Sequence, residues 1–476
     1  MNEASTVMHD PILDWVRENV VGRHATIRTP FGTLPKRYFD YTASGLPFAP
    51  IEDLVRDRVL PWMANTHTDA SAVGGYISEL YEDARRKVAR HVGARDDDVV
   101  IFCGNGATSA INKIVRALHM KEDEKPVVFL SKMEHISNDL PWRESCANIV
   151  VIGFDELGRV SPDDLDRQLQ AHKDRKLKIG SFSAASNVTG IQNDCDALAR
   201  VMHTHGGFAC FDFAAAAPYT DVDLHPSDAL ARKDAVFISV HKFLGGPQAP
   251  GLLVANRALF RSTIPVEPGG GTVVYRSPWD WRYTEDIAHR EEGGTPNVVG
   301  VIRAGLAIEL KEVLGTGRIH DTENTFVGRA VERLRGHPKI AILGNTNVPR
   351  LGIVSLILDE GRLHYNLAAR LLSDRYGIQT RGGAMCAGAY GASLLEGLEG
   401  FAFCGDFAQL GWVRASSSPA TTPDEIEILL DALIEVAERW ESWVDEYRFD
   451  DKRGTWRHVK DNDAVKNRPL RLEAPR

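Results

Sequence analysis

The segment from residue 234 to 242 contains the residues best suited to covalent chemistry in this 476-residue chain. An apolar run leads into Ser239, His241 and Lys242, and two glycines follow. A strand end is a rigid support, and an amine held there can form a Schiff base with an aldehyde cofactor if its surroundings lower its pKa. On this segment alone, the alternative of a solvated loop lysine stays open.

An acidic residue lies thirty positions upstream, at the end of another apolar run. Asp212 follows residues 208–211. A carboxylate at a buried strand end needs a partner, because leaving it unpaired away from water is costly. A protonated pyridine nitrogen would satisfy it, and so would a helix N-terminus or an internal ion pair.

Residues 104–109 form a glycine-rich turn, Gly-Asn-Gly-Ala-Thr-Ser, between a predicted strand and a predicted helix. Backbone N–H groups at a helix start, together with the Thr108 hydroxyl, can receive a phosphate dianion. Ser239 and His241 would add further donors. His135 also follows a predicted strand, and its imidazole could lie flat on an aromatic cofactor or serve a structural role.

Short β-branched runs alternate with helical patterns between residues 79 and 254, which is typical of a mostly parallel sheet with crossover helices. The seven predicted strands are residues 99–102, 127–130, 149–152, 179–182, 208–211, 235–240 and 252–254. A long helix over residues 298–314 leads into a second region of alternating helices and strands. This region ends with an amphipathic stripe over residues 426–434.

The pattern predicts an α/β protein with two domains. The large domain covers residues 70–300, and a smaller α+β domain covers residues 301–446. Residues 1–69 are predicted to pack mainly on the small domain. Residues 447–476 are rich in charge and poor in aliphatic periodicity, which predicts a charged tail, either solvated or lying over a partner subunit.

The amino-acid composition argues against several classes of protein. The chain has 56 Lys and Arg against 65 Asp and Glu, a net charge of −9, which argues against a dominant nucleic-acid-binding surface. No apolar stretch approaches 18 residues, so we expect no membrane span, and the first residues do not resemble a secretory signal. The six cysteines are scattered without a CxxC pair, which favours a reducing, cytoplasmic location and no metal site.

The motifs occur in one order that resembles the class V aminotransferase superfamily of pyridoxal 5′-phosphate (PLP) enzymes, and most of all its cysteine desulfurase and selenocysteine lyase branch. The resemblance implies PLP fold type I, with a seven-stranded large domain and a smaller α+β C-terminal domain. It spans about residues 38–445. The matching stretches are Tyr38-Phe-Asp40-Tyr-Thr-Ala-Ser, Asn65-Thr-His67, Gly106-Ala-Thr108, Met133-Glu-His135, Ser186-Asn187-Val-Thr-Gly190, Asp212-Phe-Ala, Ser239-Val-His241-Lys242, Gly269-Gly-Gly271-Thr272, Gly294-Thr295-Pro-Asn297, Arg381-Gly-Gly-Ala-Met-Cys386-Ala and Val413-Arg414-Ala-Ser.

The resemblance implies a role for each matching residue. Lys242 would bind the cofactor aldehyde and move the substrate Cα proton. Asp212 would pair with the pyridine nitrogen, and His135 would stack on the ring. The remaining implied cofactor contacts are Asn187 at the ring hydroxyl, Ala107, Thr108, Ser239 and His241 at the phosphate, and Thr295 at the phosphate of the neighbouring subunit in a homodimer.

The substrate implied by the resemblance is an amino acid. Arg414 would hold its carboxylate, a role that suits a guanidinium because its fork binds a carboxylate bidentately. Asn187 would also lie near this carboxylate, and His67 would contribute to substrate binding.

Cys386 determines which reaction the resemblance implies. In desulfurases a loop thiolate attacks the substrate sulfur, leaving alanine and an enzyme persulfide, and a sulfur-acceptor protein is then a partner. Arg381 would favour the thiolate. By residue type alone a cysteine is more often a small buried hydrophobe. The other cysteines match no catalytic position; they are Cys103, Cys146, Cys195, Cys210 and Cys404.

The chain departs from the usual desulfurase pattern in three places, and these differences leave other reactions possible. Ala215 stands where desulfurases usually carry a Gln at the ring hydroxyl, and Ala384 and Met385 replace polar residues before the loop cysteine. The segment between Cys386 and Arg414 is also longer than usual. The alternatives are a β-eliminating C–S lyase, an epimerase or an aminotransferase on a different amino acid, and a non-catalytic binding protein of the same fold.

Overall fold

A computed structural model describes residues 10–66, 70–396 and 411–460. The α-helices, in chain order, are α1 Pro11–Glu18, α2 Ala49–Leu54, α3 Ala72–His91, α4 Gly106–Ala117, α5 Ile136–Arg143, α6 Pro162–Ala171, α7 Cys195–Thr204, α8 Ile287–Glu291, α9 Val298–Leu314, α10 Thr316–Leu334, α11 Tyr365–Tyr376, α12 Gly388–Glu396 and α13 Pro423–Arg439.

The strands are numbered in the same way. They are β1 Thr26–Thr29, β2 Gly32–Pro35, β3 Arg37–Tyr38, β4 Asp98–Cys103, β5 Val127–Ser131, β6 Asn148–Ile152, β7 Lys178–Ser183, β8 Phe208–Asp212, β9 Ala235–Ser239, β10 Gly251–Asn256, β11 Val273–Arg276, β12 Trp281–Tyr283, β13 Ile340–Ile342, β14 Ile353–Leu358, β15 Ile378–Gln379, β16 Arg381–Gly383, β17 Trp412–Ser416, β18 Tyr447–Asp450 and β19 Thr455–His458.

The central sheet has seven strands in the order β4-β10-β9-β8-β7-β5-β6. β10 runs antiparallel to both of its neighbours, and the other pairs along the sheet, from β9 to β6, are parallel. The predicted seven-stranded, mostly parallel sheet is therefore confirmed. Every residue of β4, β5, β7 and β9 is buried, as expected where helices cover both faces of a sheet.

Capping residues determine where α9 and α13, the helices at the two ends of the second region, begin. The Asn297 side chain accepts from the Gly300 N–H and starts α9, at the residue where the sequence predicts that helix. Thr422 and Glu425 form a reciprocal capping box at the start of α13, and Pro423 occupies the first turn. The apolar stripe of α13 faces a separate core that also contains residues of α10 and α11.

The second region contains a four-stranded antiparallel sheet in the order β13-β14-β17-β16. Strand β17 pairs with β16 in the register Arg414 to Arg381. Together with α10, α11 and α13, this sheet forms the predicted smaller α+β unit. Two of the residues singled out in the sequence belong to this part of the chain: Arg414 lies on β17, and Cys386 follows β16.

Residues before α3 contribute to both cores. Val16, Phe48 and Ile51 are buried with the large core, whereas Phe39 belongs to the small one. β3 pairs in parallel with β15 of the second region. The sequence predicts that this segment packs mainly on the small domain, and its buried side chains divide between the two; the domain boundaries themselves stay a prediction.

Residues 447–460 differ from the solvated charged tail that the sequence predicts. β18 and β19 form an antiparallel hairpin, with Tyr447 and His458 buried. Phe449 and Trp456 contact each other across it at a ring-centroid distance of 5.3 Å. The charged residues of this stretch alternate with aromatic ones, and a short period-two pattern is easily hidden by a high charge count. Residues 461–476 lie outside the described residues.

Within residues 10–66, 70–396 and 411–460, no helix combines the length and the apolarity needed to cross a membrane.

Candidate active site

A cavity of about 210 Å³ lies where the loops after β4, β5, β7, β8 and β9 meet, outside the carboxyl ends of these strands. Ligand sites of open α/β sheets commonly occupy this position. The cavity brings together ten of the residues singled out in the sequence: Ala107, Thr108, His135, Asn187, Asp212, Ser239, His241, Lys242, Cys386 and Arg414.

Lys242 follows β9 within a short 3-10 turn and lines this cavity. Burial lowers the pKa of its amine to about 8, and the charge of Arg414 acts in the same direction, against the opposing effect of Asp212. A substantial fraction of the amine is then neutral near physiological pH. A neutral amine can act as a nucleophile toward an aldehyde or as a base.

Asp212 is the last residue of β8 and is 6% exposed. Its Oδ1 accepts a hydrogen bond from the Ala214 N–H over 2.8 Å. Burial raises the pKa of this carboxyl group, while the hydrogen bond and the charge of Lys242 oppose that rise. Among the described residues no cation lies within salt-bridge distance of Asp212. A cationic ring nitrogen in the cavity would supply the missing partner.

The turn before α4 forms a cradle for an anion. The Ala107 N–H donates to Ser239 Oγ over 2.9 Å, which brings the helix start and the end of β9 together. Gly106 has φ +62°, and a Cβ there would lie 2.8 Å from His241 Cε1 and 2.9 Å from Ser239 Oγ. The N-cap residue Asn105 makes no side-chain hydrogen bond to α4, so the first-turn N–H groups other than that of Ala107 are not capped by it and can face a ligand.

His135 caps the start of α5. Its Nδ1 accepts from the Ser137 N–H over 3.1 Å, which assigns the ring proton of the neutral imidazole to Nε2. Burial lowers the pKa of His135 to about 4, and the nearby charge of Lys242 adds to this effect. The ring is therefore neutral at pH 7 and can lie against an aromatic ligand without adding charge.

Arg414 lies on β17 and reaches the cavity from the second region. Its side chain is 3% exposed, and Nη2 donates to Asp40 Oδ1 over 2.8 Å. Nη1 donates to the Asn187 carbonyl over 3.0 Å. Nε has no acceptor among the described residues. A buried, held guanidinium at a cavity wall is well suited to bind a carboxylate.

Cys386 follows β16 and is exposed at the cavity. The other described cysteines differ from it. Burial raises the pKa of Cys103 and Cys195 to about 12 and that of Cys210 well above its usual value, which disfavours the reactive thiolate form of these cysteines. Cys146 is exposed but lines a different surface groove. Cys404 lies outside the described residues.

One predicted site residue, Thr295, is exposed and does not line the cavity. His67, another predicted site residue, lies outside the described residues. The sequence analysis assigned no role to Asp40, although it lies in a matching motif and pairs with Arg414. It also missed Ser137 and Ser183, which line the cavity. Ser183 directly follows the predicted strand 179–182 and is the last residue of β7, and this position at a strand end could have marked it.

The residues of the cavity fit PLP. The cradle before α4 matches a phosphate, and Lys242 supplies an amine with a lowered pKa. Asp212 is a buried carboxylate with no salt-bridge partner among the described residues.

Comparisons with known proteins agree with this fit. The chain is 28% identical over 405 residues to a probable cysteine desulfurase of Streptomyces coelicolor, covering 83% of this chain and 91% of the relative. It is 29% identical over 373 residues to a cysteine desulfurase of Escherichia coli, covering 74% and 85%.

Solved structures show the same fold. A cysteine desulfurase from Thermococcus onnurineus superposes with a TM-score of 0.75 at 25% identity, covering 90% of this chain and 99% of that one. An Escherichia coli cysteine desulfurase superposes with a TM-score of 0.69 at 23% identity, covering 85% and 94%. The model of the family "Aminotransferase class-V" matches residues 37–429. The chain therefore belongs to the class-V aminotransferase family, whose members are PLP-dependent enzymes.

Proposed function

We propose that this enzyme removes sulfur from L-cysteine, giving L-alanine and a persulfide on Cys386. One observation carries the proposal: the exposed thiol of Cys386 lines the same cavity as Lys242 and Arg414. An amine, a carboxylate-binding guanidinium and a thiol around one small cavity are the groups that this reaction needs. The relatives named cysteine desulfurase support the same choice.

Each group of the chain has a defined task in this proposal. Bound PLP supplies an electron sink that acidifies the substrate Cα–H bond. Arg414 binds the substrate carboxylate and orients the amino acid. Lys242 holds the cofactor through Nζ and moves the Cα proton, which its lowered pKa permits near neutral pH. Asp212 stabilises the positive charge of the ring nitrogen, and neutral His135 covers the ring.

Cys386 performs the sulfur transfer. Its thiolate attacks the substrate sulfur, a new S–S bond forms, and the Cβ–S bond breaks with its electron pair left on Cβ. Cβ then takes a proton and becomes the methyl group of alanine. The sulfur is oxidised by two electrons and the carbon is reduced by two, so no outside oxidant is needed. A sulfur-acceptor protein with a thiol would then take the persulfide sulfur.

A homodimer forms part of the proposal. Thr295 lies away from the cavity of its own chain, and the nearby hairpin of β11 and β12 exposes Trp279 by 90% and Trp281 by 54%. A groove of about 760 Å³ between α4 and α5 begins at Thr108 and Ser137, beside the cavity. Such apolar surfaces are typical of protein interfaces. A second copy would cover them and bring its Thr295 to this phosphate cradle.

Sedimentation and mixed-variant complementation test the dimer. A 1:1 mixture of Thr295→Ala and Ser239→Ala chains should regain part of the cofactor binding that each variant alone loses, because one site of the hybrid is intact. A fully active monomer contradicts this part of the proposal.

A cytoplasmic location stays a prediction, and the described cysteines, all free thiols, agree with it.

Product analysis tests the reaction. The purified holoenzyme is incubated with L-cysteine and a reductant, and alanine, sulfide, pyruvate and ammonia are measured. Equal amounts of alanine and sulfide are expected. Pyruvate with ammonia would instead indicate β-elimination, the main alternative on this scaffold, which Ala215 and Ala384 keep open because both replace polar groups of typical desulfurases. Absence of cofactor absorbance would indicate a non-catalytic protein.

A further inference from the structure

The turn that carries Cys386 has an unusual backbone. Met385 and Cys386 have φ of +52° and +56°, in the left-handed region that residues with a Cβ rarely adopt. The Ala387 N–H donates to the Ala384 carbonyl over 2.9 Å and closes the turn between β16 and α12. Two successive residues in this region persist only where their surroundings hold them.

Two hydrogen bonds from residues that follow strands of the central sheet hold this turn. Asn187 Nδ2 donates to the Met385 carbonyl over 2.8 Å, in a buried position. The Ile136 N–H donates to the Cys386 carbonyl over 2.9 Å. Asn187 lies on the loop after β7, and Ile136 is the first residue of α5, which follows β5, whereas the turn belongs to the second region. The turn is thus held through two of its carbonyl groups, those of Met385 and Cys386.

The backbone around Asn187 is itself rigid. Arg414 Nη1 donates to the Asn187 carbonyl over 3.0 Å, and Ser355 Oγ donates to the Val188 carbonyl over 2.6 Å. The N–H groups of Val188 and Thr189 both donate to Ser186 Oγ over 3.0 Å. Because this backbone is held by several hydrogen bonds, the Asn187 side chain can in turn hold the less regular turn that carries Cys386.

We propose that Asn187 is a positioning residue for the thiol of Cys386. Its amide holds the Met385 carbonyl and so keeps the Cys386 turn in the left-handed conformation that places the thiol at the cavity before the substrate binds. The inference rests on the proposed function in one respect, namely that Cys386 accepts the sulfur. This role differs from a contact of Asn187 with the cofactor or the substrate, since it operates in the substrate-free enzyme.

Hydrogen exchange measured by mass spectrometry tests the proposal on the substrate-free holoenzyme. Asn187→Ala removes the donor, and Asn187→Asp keeps the shape but sets a carboxylate oxygen against the Met385 carbonyl. In both variants the amides of residues 384–388 should exchange at least fivefold faster than in the wild type, while those of β5 stay unchanged. Asn105→Ala is the matched control, because Asn105 lines the cavity without a hydrogen bond to the turn.

A kinetic measurement separates positioning from substrate binding. In single turnover with L-cysteine, Asn187→Asp should slow persulfide formation on Cys386 at least fivefold more than it slows the substrate-induced change in cofactor absorbance. Unchanged exchange at residues 384–388, or equal slowing of both steps, overturns the inference. If the wild type forms no persulfide, the proposed function fails, and the exchange data still decide whether Asn187 holds the turn.

Discussion

Arg414 and Asp40 form a charge pair at the wall of the cavity, with Nη2 2.8 Å from Oδ1, although they lie 374 positions apart in the chain. The Arg414 side chain is 3% exposed and that of Asp40 is 17% exposed. A buried guanidinium whose counter-ion is removed carries an uncompensated charge, which destabilises the fold. Asp40 therefore maintains both the charge balance and the orientation of Arg414.

Asp40→Asn should lower the free energy of unfolding of the cofactor-free enzyme by about 2 kcal/mol, since the amide can still accept the hydrogen bond but cannot balance the charge. Urea denaturation measures this. Glu427→Gln is the control: Glu427 is 42% exposed and its partner Arg333 is 35% exposed, and loss of such a surface pair costs less than about 1 kcal/mol. Equal effects of the two substitutions would contradict the assigned role of Asp40.

Arg414→Ala should raise the apparent KM for the amino-acid substrate roughly 10- to 100-fold, because hydrogen bonds to a charged group contribute about 1.5–3 kcal/mol. Cofactor absorbance should stay as in the wild type, since the proposed contact is with the substrate alone. Arg414→Lys keeps the charge but loses the forked guanidinium, so its apparent KM should lie between that of the wild type and that of Arg414→Ala. A KM that does not change in either variant would rule out this role.

The lowered pKa of Lys242 predicts a pH dependence. Only the neutral amine attacks an aldehyde, so the rate at which the cofactor-free enzyme binds PLP covalently should rise with pH through a midpoint near 8. Between pH 8 and the ordinary lysine value, the unfolded chain binds more protons than the folded one. The contribution of this group to stability therefore increases with pH across that interval.

Stopped-flow absorbance between pH 6.5 and 9.5 measures this binding, and Lys242→Ala is the reference for non-covalent binding. His135→Asn should keep the midpoint within a few tenths of a pH unit, because burial, not His135, is the main cause of the lysine shift. A covalent adduct trapped by borohydride in Lys242→Ala would show that another amine binds the cofactor.

Much of this site was predictable because its residues lie next to strongly patterned strands. Asp212 and Lys242 follow apolar runs that the sequence predicts as buried strands, and the carboxyl ends of neighbouring parallel strands meet at one edge of the sheet. The cavity contains both, as it contains most of the other residues that the motifs singled out. Local pattern and a known motif order were sufficient for these positions.

Other features depend on contacts between distant segments. The pairing of Asp40 with Arg414 joins a segment before α3 to a strand of the second region, and nothing local marks either residue as the partner of the other. The hydrogen bond from Asn187 to the Met385 carbonyl depends on a backbone conformation that the sequence Ala-Met-Cys does not suggest. Such relations appear only once the two sheets are placed together.

Cys386→Ser tests the step that distinguishes desulfurization from β-elimination. Serine keeps the size and polarity of the side chain but cannot accept sulfur, so alanine and persulfide formation should fall at least a hundredfold. The substrate-induced change in cofactor absorbance should remain, because Lys242, Asp212 and Arg414 are intact. Cys146→Ser, which alters the other exposed described cysteine, should leave the rate of alanine formation as in the wild type. If Cys386→Ser consumes L-cysteine at the wild-type rate and releases pyruvate, sulfur leaves without a protein thiol and the enzyme is a lyase.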